Sequence, residues 1–251
     1  MARYFIELAY NGSQYVGWQI QPNGVSVQEK LNNALSILLK SHIEVTGAGR
    51  TDTGVHASQQ FAHFDFENEM PFSLDILTYK CNALLPKDIA IKQVLPVTNE
   101  AHTRFDALAR TYHYLIAFEK QVFQQDTVVH VKFDLDFDKM NAACALLLQY
   151  DDFASFCKTH GNNKTTLCNI HQAEWIKTEN GAYFTITANR FLRNMVRSIV
   201  GTMFDIGRQK ISIKDFQQII EDKDRKSAGA SAPAHGLYLS GILYPDTIFK
   251  K

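Results

Sequence analysis

The residues best suited to chemistry lie together in Gly47-Ala48-Gly49-Arg50-Thr51-Asp52-Thr53-Gly54-Val55-His56-Ala57. Asp52 is a single carboxylate in a short turn crowded with glycine and hydroxyl side chains, with Arg50 two residues before it. An ionised carboxylate can attack an electrophilic carbon or accept a proton. Glycine lets the backbone take positive φ, or lets a ligand come close. Apolar, strand-like segments at 43–46 and 58–66 flank the turn. Rigid strands there are expected to hold Asp52 and present it outward, the usual arrangement of a functional loop on a scaffold. The same composition also suits a plain β-hairpin turn capped by an aspartate, and both readings stand on composition alone.

Other chemistries fit the turn less well. Asp52-Thr53-Gly54 is the tripeptide of aspartic proteases, which need two carboxylates sharing one proton. The tripeptide occurs once, so a dimer would have to supply its twin, and Arg50-Thr51 stands where apolar residues usually precede it. A cation so near opposes a shared proton. Gly47-x-Gly49 begins like a dinucleotide fingerprint, but Asp52 occupies the third glycine position, where a carboxylate repels a pyrophosphate. Asp52 and His56 have an i, i+4 spacing that suits metal ligands on a helix, not on a glycine turn. His56 reads instead as a polar group serving the loop. The four cysteines, Cys81, Cys144, Cys157 and Cys168, form no C-x-x-C pair and accompany no histidine cluster. Neither a metal site nor a disulfide framework is expected, only reduced thiols, partly in the core.

Two further segments carry aromatic and basic side chains. In Arg110-Thr111-Tyr112-His113-Tyr114 strand alternation puts Tyr112 and Tyr114 on one face and Thr111 and His113 on the other. Two such tyrosines suit a buried core, or a platform on which a flat base stacks. Phe191-Leu192-Arg193-Asn194-Met195-Val196-Arg197 leads into an otherwise apolar helix. Arg197 there either lies partly buried against an anion, for which Asp52 is a candidate, or snorkels to water at the helix edge. Net charge is zero overall, yet residues 1–108 hold 8 basic against 11 acidic side chains and residues 109–251 hold 18 against 15. A local basic face on a neutral protein is therefore open, as is an ordinary solvated helix face.

The elements that must position these groups follow from hydrophobic period and caps. Residues 3–10 alternate as a strand, with Tyr4, Ile6 and Leu8 against Arg3, Phe5 and Glu7. A loop rich in glycine and aromatics follows, and Ser26 with Glu29 forms a capping box before a helix carrying Leu31, Ala34, Leu35, Leu38 and Leu39. Then come strand, turn and strand, a helix over 73–85 stopped by Pro86, and a strand over 89–97. The second half runs strand 110–118, helix 137–149, strands 168–178 and 183–189 around Asn180-Gly181, helices 194–207 and 212–221, and a closing strand 237–244. Residues 119–135 and 158–168 read as long connections, the second polar, with Lys158, His160, Asn162, Asn163 and Lys164. Each half is roughly β-α-β-β-α-β. This predicts an α+β protein of two ferredoxin-like halves, 1–107 and 108–251, with mostly antiparallel sheets. At 251 residues the chain can bury a sizeable core. It shows no apolar run of membrane-spanning length and no basic-then-apolar leader, so a cytoplasmic protein is expected.

Taken together these segments resemble the bacterial tRNA pseudouridine synthase A family. The resemblance runs through Tyr10-Asn11-Gly12-Ser13, Gly17-Trp18-Gln19-Ile20-Gln21, the turn around Asp52, Phe105-Asp106-Ala107, Ala109 to Tyr114, Phe191 to Arg197 with Gly201, and Gly236-Leu237-Tyr238-Leu239. Thr53 departs from the alanine usual in the family. The resemblance implies isomerisation of uridine to pseudouridine at positions 38, 39 and 40 in the anticodon stem-loop of tRNA. It also implies a homodimer, no cofactor, and two halves sharing a central sheet, with the active cleft between them. Asp52 matches the family's catalytic aspartate, Tyr112 the tyrosine that packs on the uracil, Arg197 the arginine that pairs with the aspartate, and Leu237 a pocket residue.

The residues suit that chemistry. Breaking the N1–C1′ bond and joining C5 to C1′ exchanges no electrons, so no redox cofactor is called for. The target base must leave its stack, at a cost of a few kcal/mol. Contacts from Arg50, Arg193 and nearby lysines to phosphates are expected to offset that cost. A non-catalytic RNA-binding module is the competing class, but a presented carboxylate repels phosphate and adds nothing to binding.

Overall fold

Alternation in the first strand and Ser-capped amphipathic helices translate directly into the elements of the structure, a computed structural model that describes residues 1–158 and 165–250. His160, Asn162, Asn163 and Lys164 of the expected polar connection lie outside the described residues. The first half contains β1 (Ala2–Tyr10), α1 (Val27–Leu39), β2 (Thr46–Gly47), β3 (His56–Phe66), α2 (Leu74–Leu84) and β4 (Ile89–Val97). Then follow β5 (Ala109–Ala117), β6 (Val129–His130), α3 (Phe137–Leu147), β7 (Ile170–Thr178), β8 (Gly181–Ala188), α4 (Met195–Gly207), α5 (Ile213–Asp222) and β9 (Leu237–Leu243). The protein is α+β with mostly antiparallel strand pairing, as its sequence predicts.

The chain forms two compact units. One is Met1–Leu108 together with Tyr238–Lys251, and the other is Ala109–Leu237. In the first, the strand order is β4-β1-β3-β9, with β2 also on β3. β1 is antiparallel to both β3 and β4, and β9 runs parallel to β3 through His56–Tyr238 and Ala57–Leu239. In the second, β8 lies between β5 and β7 in antiparallel pairing, and β6 runs parallel on β5.

The closing strand follows the second half in chain order but packs with the first unit. Its physical reason is Phe5. Alternation sets Phe5 on the face of β1 opposite Ile6 and Leu8, yet Phe5, Ile6 and Leu8 are all fully buried. Rings of Phe61, His63, Tyr244 and Phe249 cover Phe5, with Tyr244 at 5.4 Å and Phe249 at 6.2 Å. Burying a phenylalanine side chain is worth about 1.5–3 kcal/mol, which favours bringing the chain's last residues back over β1. Backbone bonds from Leu108 to Leu243 and from Thr98 to Ile248 hold that return.

The expected strand at 43–46 is mostly absent, since only Thr46 and Gly47 pair with β3. Ile43 and Val45 are buried nonetheless, at 3% and 2% exposure. Helix α1 supplies their backbone partners: Ser36 Oγ accepts from the Ile43 amide, Asn32 Oδ1 accepts from the Val45 amide, and Gln28 donates to the Val45 carbonyl. Buried amides need partners, and side chains met the need before a strand did.

Candidate active site

Asp52 sits half-buried on its turn, between buried Thr51 and exposed Thr53. The strands that flank it hold the turn at its base. The Ala48 amide donates to the Phe61 carbonyl, and the Gln60 side chain donates to the Gly49 carbonyl. Its rim is held by the glycine- and aromatic-rich loop that follows β1. Trp18 donates from its amide to the Thr51 carbonyl at 3.3 Å, and Gly54 donates to the Tyr15 carbonyl at 3.4 Å. Thr53 Oγ1 donates to the Val16 carbonyl at 3.0 Å, and Tyr10 Oη lies 2.8 Å from Thr51 Oγ1. Within the turn the Val55 amide closes onto the Asp52 carbonyl at 3.1 Å.

Glycine is required where loop and turn meet. Gly17 has φ +109°, and a Cβ there would run into the Thr51 carbonyl. A Cβ on Gly12 would run into the Val55 carbonyl. The loop is tied down on its far side by Asp88, which accepts from the Tyr15 hydroxyl at 2.7 Å and, through its carbonyl, from the Asn11 amide at 2.9 Å. Tyr15 and Trp18 are buried at 5% and 2% exposure. Two stretches some 35 residues apart in sequence thus become one frame around a single carboxylate. A preorganised frame of this kind spends little free energy on orienting its reactive group. Arg50, two residues before Asp52, is exposed.

In the second unit Tyr112 and Tyr114 share a face of β5, but their surroundings differ. Tyr114 is fully buried, donates its hydroxyl to the Pro233 carbonyl at 3.0 Å, and lies edge-on to Phe204. Burial pushes its phenol far above the ordinary tyrosine range. Tyr114 is a core residue. Tyr112 is half-exposed and meets Phe191 edge-to-face, with centroids 5.1 Å apart and planes at 87°. That contact fixes the plane of the Tyr112 ring.

Arg197 is half-buried on α4, and its Nε donates to the Ala232 carbonyl at 2.8 Å while the Ala232 amide donates to its own carbonyl at 2.9 Å. Neighbouring bonds bolt the same segment to the start of α4. Asn194, at φ +65°, donates to Ser231 Oγ, and Arg225 donates to Ser231 Oγ and to the Ala228 and Gly229 carbonyls. Leu237, at the start of β9, is 6% exposed. Sequence reasoning missed residues 228–233 as the clamp on Arg197. Their run of small residues and one proline just before a strand was the available signal. It likewise missed Phe191 as the ring that orients Tyr112.

The titratable groups elsewhere narrow the chemistry. Burial pushes the Cys81 and Cys144 thiols up to about 12 and Cys168 up to about 11, so none of these offers a thiolate near neutral pH. Among the described residues no three His, Cys, Asp or Glu side chains are grouped to hold a metal ion. No helix among them is long and apolar enough to cross a membrane.

The chain carrying this α+β scaffold of mostly antiparallel strands matches known proteins. A model of the tRNA pseudouridine synthase family matches residues 8–106 and 143–245. The chain belongs to that family, which is a family of isomerases. It is 51% identical over 250 residues to the tRNA pseudouridine synthase A of Azobacteroides pseudotrichonymphae, covering 100% of each chain. It is 50% identical to the tRNA pseudouridine synthase A of Porphyromonas gingivalis over 99% of this chain and 100% of that one. To the enzyme of the same name in Francisella tularensis subsp. novicida it is 41% identical, over 100% and 97% of the two chains.

Proposed function

We propose that this protein converts uridine to pseudouridine at positions 38, 39 and 40 of the tRNA anticodon stem-loop, with Asp52 as its catalytic residue and no cofactor. The observation that carries this reading is the frame around Asp52. A half-buried carboxylate is held from below by two strands and from its rim by a second loop, in a chain that belongs to the tRNA pseudouridine synthase family. In the reaction the N1–C1′ bond breaks, the freed uracil turns, and C5 bonds to C1′. C5 then loses its proton and N1 gains one, so atoms and electrons balance without a redox partner.

Two routes use a single carboxylate. Asp52 attacks the nucleoside as a covalent catalyst, or it removes a proton from the sugar. A primary isotope effect with 2′-deuterated uridine in the substrate is expected only for the second. We assign to Tyr112 stacking on the uracil, with its hydroxyl assisting loss of the C5 proton. Arg197 is assigned to pair with the aspartate, Leu237 to line the uracil pocket, and Arg50 to contact phosphate. The protein is assigned to the cytoplasm, acting as a homodimer.

The test is incubation of purified protein with unmodified tRNA, followed by mapping of pseudouridine with a specific label and mass spectrometry. Product at positions 38–40 with wild-type protein, and none with Asp52→Asn despite unchanged RNA binding, is the expected result. A wild-type protein that binds tRNA without making product points to a binding module and overturns the proposal. A fully active Asp52→Asn overturns the role of Asp52.

A further inference from the structure

His56 takes no part in the chemistry above, yet it touches both the loop after β1 and the closing strand. It is 1% exposed. Its Nδ1 accepts from the Gly12 amide at 3.0 Å. A backbone amide only donates, so Nδ1 keeps its lone pair and the proton of the neutral ring lies on Nε2. The imidazole stacks on Tyr238, with centroids 4.6 Å apart and planes at 26°. The two residues are also partners where β3 meets β9 in parallel. One side chain therefore connects the end of the Asp52 turn, the loop after β1 and the closing strand.

At Gly12 the loop and the turn are in close contact. Gly12 abuts the backbone of Val55, the residue immediately before His56, with no room for a Cβ. On the loop's other side the Asn11 amide is taken by Asp88. The Gly12 amide is thus the point at which the start of the loop is fastened to the turn, and it is fastened by an aromatic acceptor that is itself clamped against Tyr238.

We propose that His56, in its Nε2-protonated neutral form, is a positioning residue that sets the aim of Asp52 by latching the loop after β1 onto the catalytic turn. This rests on the reading of Asp52 as catalytic. A latch acts on the geometry of the reacting group and not on the grip on RNA, so its removal lowers kcat and leaves KM for tRNA nearly unchanged. Small displacements of a catalytic group cost roughly ten- to a hundredfold in rate.

The experiment compares His56→Leu, which fills the space without an acceptor, with His56→Asn, whose Oδ1 falls near the place of Nδ1. His56→Leu is expected to lose roughly ten- to a hundredfold in kcat with KM within about twofold, and His56→Asn to recover most of that loss. A folded His56→Leu with wild-type kcat overturns the proposal, as does a loss seen equally in both variants. Should the leucine variant fail to fold, imidazole 15N chemical shifts of the wild-type protein decide. An unprotonated Nδ1 supports the latch and a protonated Nδ1 overturns it. A fully active Asp52→Asn, by contrast, removes the catalytic reading and leaves the tautomer and the Gly12 bond as they are, so the two failures are distinguishable.

Discussion

Acid should weaken this fold through His63, and the size of the effect can be worked from its surroundings. His63 lies on β3 at 6% exposure, with Nδ1 2.9 Å from Thr103 Oγ1 and its ring against Phe5 and, edge-on, against His102. Burial, reinforced by the nearby Arg3 guanidinium and by His102, lowers its pKa from 6.5 to about 4. The folded value is the lower one, so the unfolded chain takes up the proton first as pH falls. The contribution is fully present above about pH 6.5 and is lost progressively between there and about pH 4. It amounts to about 2 kcal/mol lost by pH 5 and about 3 kcal/mol by pH 4. The perturbation is His63→Asn, which keeps an acceptor near the position of Nδ1 and does not titrate. Urea unfolding followed by far-UV circular dichroism at pH 7.5, 6 and 5 gives the stability of both proteins. His102 is held below its ordinary pKa too, chiefly by burial, and it is present in both proteins. The variant begins less stable at pH 7.5 because it loses ring packing. From there to pH 5 the wild type is expected to lose about 2 kcal/mol more than the variant. Parallel pH profiles would refute the argument.

The other predictions concern the frame and the tyrosine. Thr53→Ala removes the bond to the Val16 carbonyl. It should cost about 0.5–1.5 kcal/mol in stability, measured as a lowered Tm, with pseudouridine formation retained. Tyr112→Phe keeps the ring and its edge contact with Phe191 but removes the hydroxyl. Single-turnover assays should then show undiminished tRNA binding and a slower chemical step; an unchanged rate would reduce Tyr112 to a packing and stacking role.

Local chemistry made much of this protein legible before folding was considered. Alternation over residues 3–10 marked β1 and Ser26 marked the start of α1; in the structure Ser26, Ser73 and Ser212, at the starts of α1, α2 and α5, each accept a bond from the third residue on. These signals are local because a cap or a strand face depends on side chains a few residues apart. The turn around Asp52 was equally readable, since glycines beside a lone carboxylate are a matter of composition. Tertiary structure decided the rest. The two tyrosines of β5 look alike in sequence, and tertiary contacts make Tyr114, bonded to the Pro233 carbonyl, a core residue and Tyr112, against Phe191, a half-exposed ring. Residues 43–45 have the composition of a strand, but side chains of α1 reached their backbone first. The frame around Asp52 joins Gly12, Val16 and Trp18 to a turn far along the chain, and β9 returns to β3 from the other end. Such contacts are chosen by which distant apolar surfaces and unsatisfied amides can be buried together, and no local pattern encodes that choice.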